Sequence, residues 1–599
     1  MANTLLGAGK TTPANAAPKG RRWIVACAVA VAIAVLFFAY FGLSRTYPEN
    51  SDEANILLMA NDMLHGNVLL RHWVTSDVPF ISTELPQIAA LEGIFGTYLH
   101  TAHIAAAMTY TLVVVLGMLL ARGPRRAVTG KTAIARMAVA GGIMLGPQTG
   151  VGVFILLLSV GHIGTAVPVM LTWLLVDRMG ERPWVPAVVT LLLAWSLVAD
   201  PLVKVVAIWP LMLVAVVRIA TWLVRGERDA GENATTLAQR VRTLHRKRWF
   251  DLSLLAAAAI GWWIASLIST VISDMGGYAQ NAVPYSLDPS KTWWPHARVS
   301  IDGLLSMFGA DFVGQTGWSA VLAVLHLVGV VLAVWGVFVT LRWFFSWPGD
   351  LVSQVLVVAV IANLVAYIPS GLANATDLNA REFAVVLPFA AVVAGRQLGA
   401  RLVEGRLVDI SLPDGTRQPA GPRLRFLVPV LAVVLAGYAW TLGSGALKPP
   451  APAPYTKLIA WLEAHHLRSG LGGYWQASVI TVETGGQITI RALTSASATL
   501  KDGSTTNCVI APYAWEIKKT WYVASQSQAY FILMDEDPNR SLVDPMGAFN
   551  LPGAALHAIG DYKHYQAYKL GTSYIVRAYQ YNILHRIPVI LPQQACLNS

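Results

Sequence analysis

Adjacent carboxylates, Asp52 and Glu53, open a stretch of chain dense in groups that handle protons and phosphates. Arg71, His72, Asp77 and Glu84 follow within the same segment, 44–100. A carboxylate can take a proton from an acceptor hydroxyl and make its oxygen nucleophilic. Cationic side chains stabilise a phosphate as it departs. Asp200 and Lys204 stand one helical turn apart, Lys291 and Arg298 flank Trp293 and Trp294, and Arg381 lies further on. Tyr474 and Trp475, inside Gly472-Gly473-Tyr474-Trp475-Gln476, offer aromatic faces and an amide to a sugar acceptor.

Each of these groups also has a plainer role. Acids at a helix start offset its dipole. Asp200 and Lys204 can pair with each other across i,i+4, although ionisable groups at the end of a membrane span usually face a cavity; the alternative has Lys204 holding a lipid phosphate. Arg381 can anchor a headgroup, and Trp293 and Trp294 can mark the membrane interface. A buried Tyr–Trp corner explains Tyr474 and Trp475 as well as a sugar platform does. His100, His103 and His162 read as hydrogen-bonded packing residues. There is no nucleophile triad, phosphate-cradling glycine loop or His/Cys metal cluster in the sequence.

These residues must be held by elements that composition narrows sharply. Of 599 residues, 55% are hydrophobic and only 13% charged, far too few charges for a soluble protein of this length. The apolar residues form long runs such as Trp23 to Leu43 and Ser319 to Leu341, near the roughly 20 residues that cross a bilayer as a helix. About 11 spans follow, over 23–43, 101–121, 133–148, 162–177, 184–199, 201–224, 250–271, 317–341, 351–369, 383–399 and 426–443. The apolar but short segment 149–161 reads as re-entrant or interfacial. The first run is too long, and the 1–22 tail before it too polar, for a cleaved signal peptide, so it reads as a retained span.

Basic residues fall in alternate loops: Lys10 to Arg22, Arg122 to Arg136, Arg178 and Arg182, Arg225 to Arg248, Arg342, and Arg396 to Arg425. That side is cytoplasmic by the positive-inside rule, which explains the net charge of +11 without nucleic acid. Loops 44–100, 272–316 and 370–382 and everything after 444 then lie on the outer side of a bacterial cytoplasmic membrane. Pro449, Pro450, Pro452 and Pro454 stiffen a linker, 444–454. Beyond it, 455–599 reads as a small extracytoplasmic α/β domain: a helix Tyr455 to Leu467, then strands at Ser478 to Val482, Gln487 to Arg491, Tyr530 to Met534 and Ser573 to Tyr579. Cys508 and Cys596 both fall in this oxidising location, which permits a disulfide whose proximity spacing alone does not show.

Within the first outer loop, Ser51 can cap a helix whose Ile56, Leu57, Met59, Ala60, Met63 and Leu64 share one face. Such a helix is expected to lie on the outer membrane surface. Ser51-Asp52-Glu53-Ala54, Met63-Leu64-His65-Gly66-Asn67 and Thr83-Glu84-Leu85-Pro86 together resemble the first outer loop of GT-C-fold membrane glycosyltransferases, the group of protein O-mannosyltransferases and the lipid A aminoarabinose transferase. Glu84-Leu85-Pro86 stands where that group often has Lys-Pro-Pro. Asp200-Pro201-Leu202 and Arg381-Glu382-Phe383 with Pro388 look like further family features, so the resemblance covers roughly residues 20–400 of a 23–443 membrane domain. It implies an inverting transferase that uses a polyprenyl-phosphate sugar donor and a lipid, glycan or protein acceptor. Carried over, Asp52 is the first candidate for general base and Glu53 the second, with Asp77 and Glu84 orienting sugar or acceptor, or coordinating a cation. The first loop has no Asp-x-Asp, so a divalent metal stays open. A transporter or lipid flippase, or a non-catalytic scaffold, are the rival classes. A transporter would build its site at the midplane from repeats, whereas here polar residues gather at span ends and in loops.

Overall fold

The computed structural model describes residues 19–124, 128, 130–225, 236–281, 283, 285–345, 349–373, 377–404, 408–411, 417–420, 427–499, 505–535, 565–570 and 574–585. Cys596 lies outside them, and with it the expected Cys508–Cys596 pairing. Every expected span falls on a helix: Lys19–Ser44, Leu99–Arg122, Gly130–Met144, His162–Met179, Val185–Ala199, Lys204–Arg225, Trp249–Asp274, Gly317–Arg342, Leu351–Tyr367, Val386–Glu404 and Leu427–Ala446. Seven of them are long and apolar enough to cross a membrane by length and composition. Gly130–Met144, His162–Met179, Val185–Ala199 and Leu351–Tyr367 are not in that set.

Small residues let these helices approach closely, as helix contacts inside a membrane require. A Cβ at Gly395 would sit 2.6 Å from the Arg136 carbonyl oxygen, and one at Gly399 2.6 Å from the Arg136 nitrogen. Helix Val386–Glu404 therefore lies directly on Gly130–Met144. Pro210 has no N–H to give the Val206 carbonyl, and the chain there takes a π-helical turn, Lys204–Ile208. The segment read as interfacial, 149–161, forms a short helix, Val151–Leu156, whose residues 152–156 are buried. Gly152 packs so tightly on the Ser306 carbonyl that a Cβ would come within 2.4 Å.

The C-terminal region forms a six-stranded sheet in the order Tyr565–Leu570, Tyr574–Tyr579, Phe531–Asp535, Ser469–Gly472, Thr489–Thr499, Thr505–Pro512. Ser469–Gly472 runs parallel to both of its neighbours. A parallel step needs a crossover, and helix Tyr474–Glu483 supplies it. This corrects the strand expected at Ser478 to Val482. Its β-branched residues are buried on a helix, because connectivity and packing outweigh a propensity worth about 1 kcal/mol.

The first-loop helix, Ser51–Leu64, also departs from expectation. Its cap is Asn50, whose Oδ1 accepts from the Glu53 N–H at 3.2 Å, and not Ser51. Nor is most of its apolar face free to meet lipid. Residues 51–57, 59 and 60 are buried or nearly so, enclosed by helix Glu84–Phe95 and by helix Tyr474–Glu483 of the C-terminal region. Its acidic start and the apolar residues Ile56, Leu57, Met59 and Ala60 are covered by protein, while Leu64 at its end is exposed.

Candidate active site

Three distant segments meet at the N-terminus of helix Ser51–Leu64. Strand Trp73–Thr75 pairs in parallel with Ala279–Gln280 and antiparallel with Ile517–Lys518. Lys518 reinforces that seam through an ion pair of 2.9 Å with Asp62, which also accepts from the Trp73 indole at 2.7 Å. On the other side, the Ser51 hydroxyl donates to the Tyr474 carbonyl, and Ser478 donates to Asn55. The C-terminal region is thus docked by both backbone and side-chain bonds onto the loop that carries Asp52.

Asp52 sits at the centre. Its Oδ2 accepts from Arg381 Nη1 at 3.0 Å, and its Oδ1 accepts from the Tyr474 hydroxyl at 2.6 Å. Arg381 arrives on a 3-10 turn, Asp377–Phe383, and its neighbour Glu382 bonds His162 Nε2 at 2.8 Å. His162 Nδ1 meets Asp200 Oδ2 at 2.8 Å. Asp200, fully buried at the end of helix Val185–Ala199, also accepts from Thr165 and from the Leu202 N–H. The imidazole thus bridges two carboxylates.

Asp52, Asp77, Glu382 and Glu516 line one cleft together with Arg381 and His162. Four acids thus face two cationic groups. The surplus negative charge is carried by groups that hold on to protons. Burial lifts Asp77 to about 6, with Glu382 adding to the rise. Burial and then the charge of Asp52 push Glu516 well above the usual carboxylate range. Glu84 sits beneath the cleft, lifted by burial to about 8. Its Oε1 has no hydrogen-bond partner among the described residues, and it presses on Gly164, where a Cβ would meet that oxygen at 1.8 Å.

The candidate residues therefore divide. Asp52, Asp77 and Arg381 meet in the cleft, Tyr474 reaches it by its hydroxyl, and Glu84 and Asp200 support it from behind. Glu53 turns aside: it accepts from the Ser159 N–H at 3.3 Å, and burial raises it to about 7. Tyr474 is 2% exposed and packed between Trp475 and Tyr513, so its ring is no sugar platform. Lys204 does not pair with Asp200; it lies 5.9 Å from the Trp262 ring. Arg71, His72, Lys291 and Arg298 are exposed and do not line the cleft. Three contributors went unread in the sequence. From sequence His162 reads as a packing histidine and Glu382 as part of a motif, and Glu516 is marked only by its isolation in Tyr513-Ala514-Trp515-Glu516.

A divalent cation does not fit these groups as they stand. Both His162 nitrogens are engaged by carboxylates, and Asp52 is already paired with the Arg381 guanidinium, whose charge opposes a second cation there. Among the described residues no group of three or more His, Cys, Asp or Glu side chains is arranged to hold a metal.

Fold and site together define a polytopic helical membrane protein in which a C-terminal α/β region closes an acid-rich cleft at one end of the bundle. The chain is similar to the crystal structure of ArnT from Cupriavidus metallidurans in the apo state, with 14% identity over 94% of this chain and 98% of that chain and a TM-score of 0.47. No family model and no curated protein matches the chain. At that TM-score the likeness is one of outline, and the functional reading rests on the residues themselves.

Proposed function

We propose that this protein is an inverting glycosyltransferase, moving a sugar from a polyprenyl-phosphate donor to an acceptor hydroxyl on the outer face of a bacterial cytoplasmic membrane. The observation that carries the reading is the setting of Asp52. It is buried, with one oxygen on a guanidinium and the other on a phenol, and it opens into a cleft between bundle and C-terminal region. A carboxylate oxygen offers two lone pairs, so each keeps one for an incoming hydroxyl.

In this reading Asp52 accepts the acceptor's proton as the hydroxyl oxygen attacks the anomeric carbon. The bond from that carbon to the donor phosphate breaks on the opposite side, and the phosphate keeps the electron pair. Arg381 and Tyr474 hold the base in one rotamer, which is worth more than contact strength alone because it fixes the line of attack. Lys204, with no ion pair to a carboxylate among the described residues, is the cation assigned to the lipid phosphate, at a π turn of the kind that often marks functional sites. The sequence resemblance to GT-C transferases supports the donor class.

The test is transfer from a panel of radiolabelled polyprenyl-phosphate sugars to endogenous acceptors in membranes. Wild type is compared with Asp52→Asn, Glu53→Gln and Glu84→Gln at matched abundance. The expected result is transfer lost in Asp52→Asn with donor still bound, and kept in Glu53→Gln, whose side chain faces Ser159. Wild-type membranes that consume no donor, or an active Asp52→Asn, would refute the reading and bring transport forward.

A further inference from the structure

The Tyr474 hydroxyl stands within hydrogen-bond distance of two carboxylates, Asp52 Oδ1 at 2.6 Å and Glu516 Oε2 at 3.1 Å. A phenol has one proton and can donate to only one of them. The other contact holds only if the second carboxyl brings a proton of its own. Asp52 is the poorer owner of that proton, because Arg381 Nη1 already donates to its other oxygen at 3.0 Å. The shorter contact is also the one from Tyr474 to Asp52.

The surroundings of Glu516 point the same way. Its second neighbour, Ser76, commits its hydroxyl proton to the Val78 carbonyl at 2.9 Å. Glu516 therefore faces two hydroxyls, one of which donates to Val78 while the other makes its shorter contact with Asp52. It is 3% exposed. The charged groups sharing its cleft are Asp52, Asp77 and Glu382 against Arg381 and His162, an excess of acid that opposes a further negative charge. Glu516 also has φ +53°, a left-handed conformation uncommon for a non-glycine residue. Pairing of the next two residues, Ile517 and Lys518, with the first-loop strand holds it there. Strain of this sort persists where surrounding structure over-determines it, and it clusters at active sites.

We propose that Glu516 is a positioning residue held as a neutral acid: it donates to the Tyr474 oxygen, commits the single Tyr474 proton to Asp52, and so keeps Asp52 an ionised acceptor. The chain runs Glu516 O–H to Tyr474 O, then Tyr474 O–H to Asp52, and no proton is left over. A residue of the C-terminal region thus orients the hydroxyl that meets the base on the first loop. The proposal extends the reading of Asp52 as general base.

Infrared difference spectroscopy on the full-length protein in lipid nanodiscs near neutral pH tests the protonation directly. Wild type minus Glu516→Gln is expected to show the C=O stretch of a protonated carboxyl, shifted in D2O. Absence of that band means an ionised Glu516 and overturns the proposal. Transfer gives the second readout. Glu516→Gln, whose amide N–H can replace the carboxyl O–H, is expected to stay within a few-fold of wild type. Glu516→Ala, with no donor, is expected to lose about tenfold in kcat, as the hydrogen bond that orients the Tyr474 hydroxyl goes. Equal loss in Gln and Ala at equal folded abundance also overturns it. If wild type transfers no sugar, the broader functional reading fails while the infrared result still decides the state of Glu516.

Discussion

Two clusters of charge sit at opposite ends of helix His162–Met179. Helix His162–Met179 carries His162 into the cleft at one end and Asp177 into the second cluster at the other. Arg396, on helix Val386–Glu404, donates to Asp177 at 2.6 Å, to Asp350 at 2.8 Å and to the Leu120 carbonyl at 2.8 Å. Arg178 lies 4.0 Å from Asp177 and donates to the carbonyls of Gly123 and Leu119. Two acids there face two guanidiniums, and their donors close helix ends. In the cleft, four acids face one guanidinium and one imidazole. The Arg396 cluster is matched charge that locks four helices together. The cleft is mismatched charge, tolerated because protons are retained, and that is a state able to exchange protons with a substrate.

The contrast can be broken by substitution. Asp52→Asn carries the largest expected effect, a loss of about 10²–10⁴ in transfer with the melting temperature little changed, read by single-turnover assay and thermal denaturation on one preparation. Arg396→Met is next, and opposite in kind. It leaves Asp177 buried without its partner, at a cost of about 3–5 kcal/mol, so folded abundance falls while transfer per folded molecule holds.

Glu84→Gln sharpens the role of proton retention. The folded Glu84 titrates at about 8, above the 4.5 of the free side chain. The folded state therefore holds the proton more tightly than the unfolded one, so this stabilisation is complete below pH 4.5 and is lost as pH rises towards 8. Melting temperature in wild type is expected to decline across that window, and the decline to be shallower in Glu84→Gln. The smallest effect is expected from Lys204→Met: about tenfold weaker donor binding, one lost charge contact, with kcat nearly kept. An unaltered donor affinity would remove Lys204 from the site.

Much of the bundle was legible because hydropathy and loop charge are local signals. Each expected span found a helix, and Asp52, Asp77 and Arg381 were legible as candidates from their loops. What escaped depends on contacts between distant segments. Asp52 and Tyr474 bond across 422 positions, and the burial of helix Ser51–Leu64 follows from a domain that begins some 400 residues later. An amphipathic helix looks the same whether lipid or protein covers its apolar face. His162 carries no local mark of the two carboxylates that grip it, and Glu516 acquires its role only through strand pairing with Trp73–Thr75. The helix at Tyr474–Glu483 was hidden by β-branched residues that a crossover position overrules.

Chemistry is assigned to the mismatched cluster and scaffolding to the matched one. The most direct measurement is sugar transfer per folded molecule by Asp52→Asn and Arg396→Met, purified side by side with wild type. The expected result is a normally folded Asp52→Asn that binds donor and transfers almost nothing, beside a scarce Arg396→Met with near wild-type turnover. A fully active Asp52→Asn, or loss of turnover confined to Arg396→Met, would contradict it.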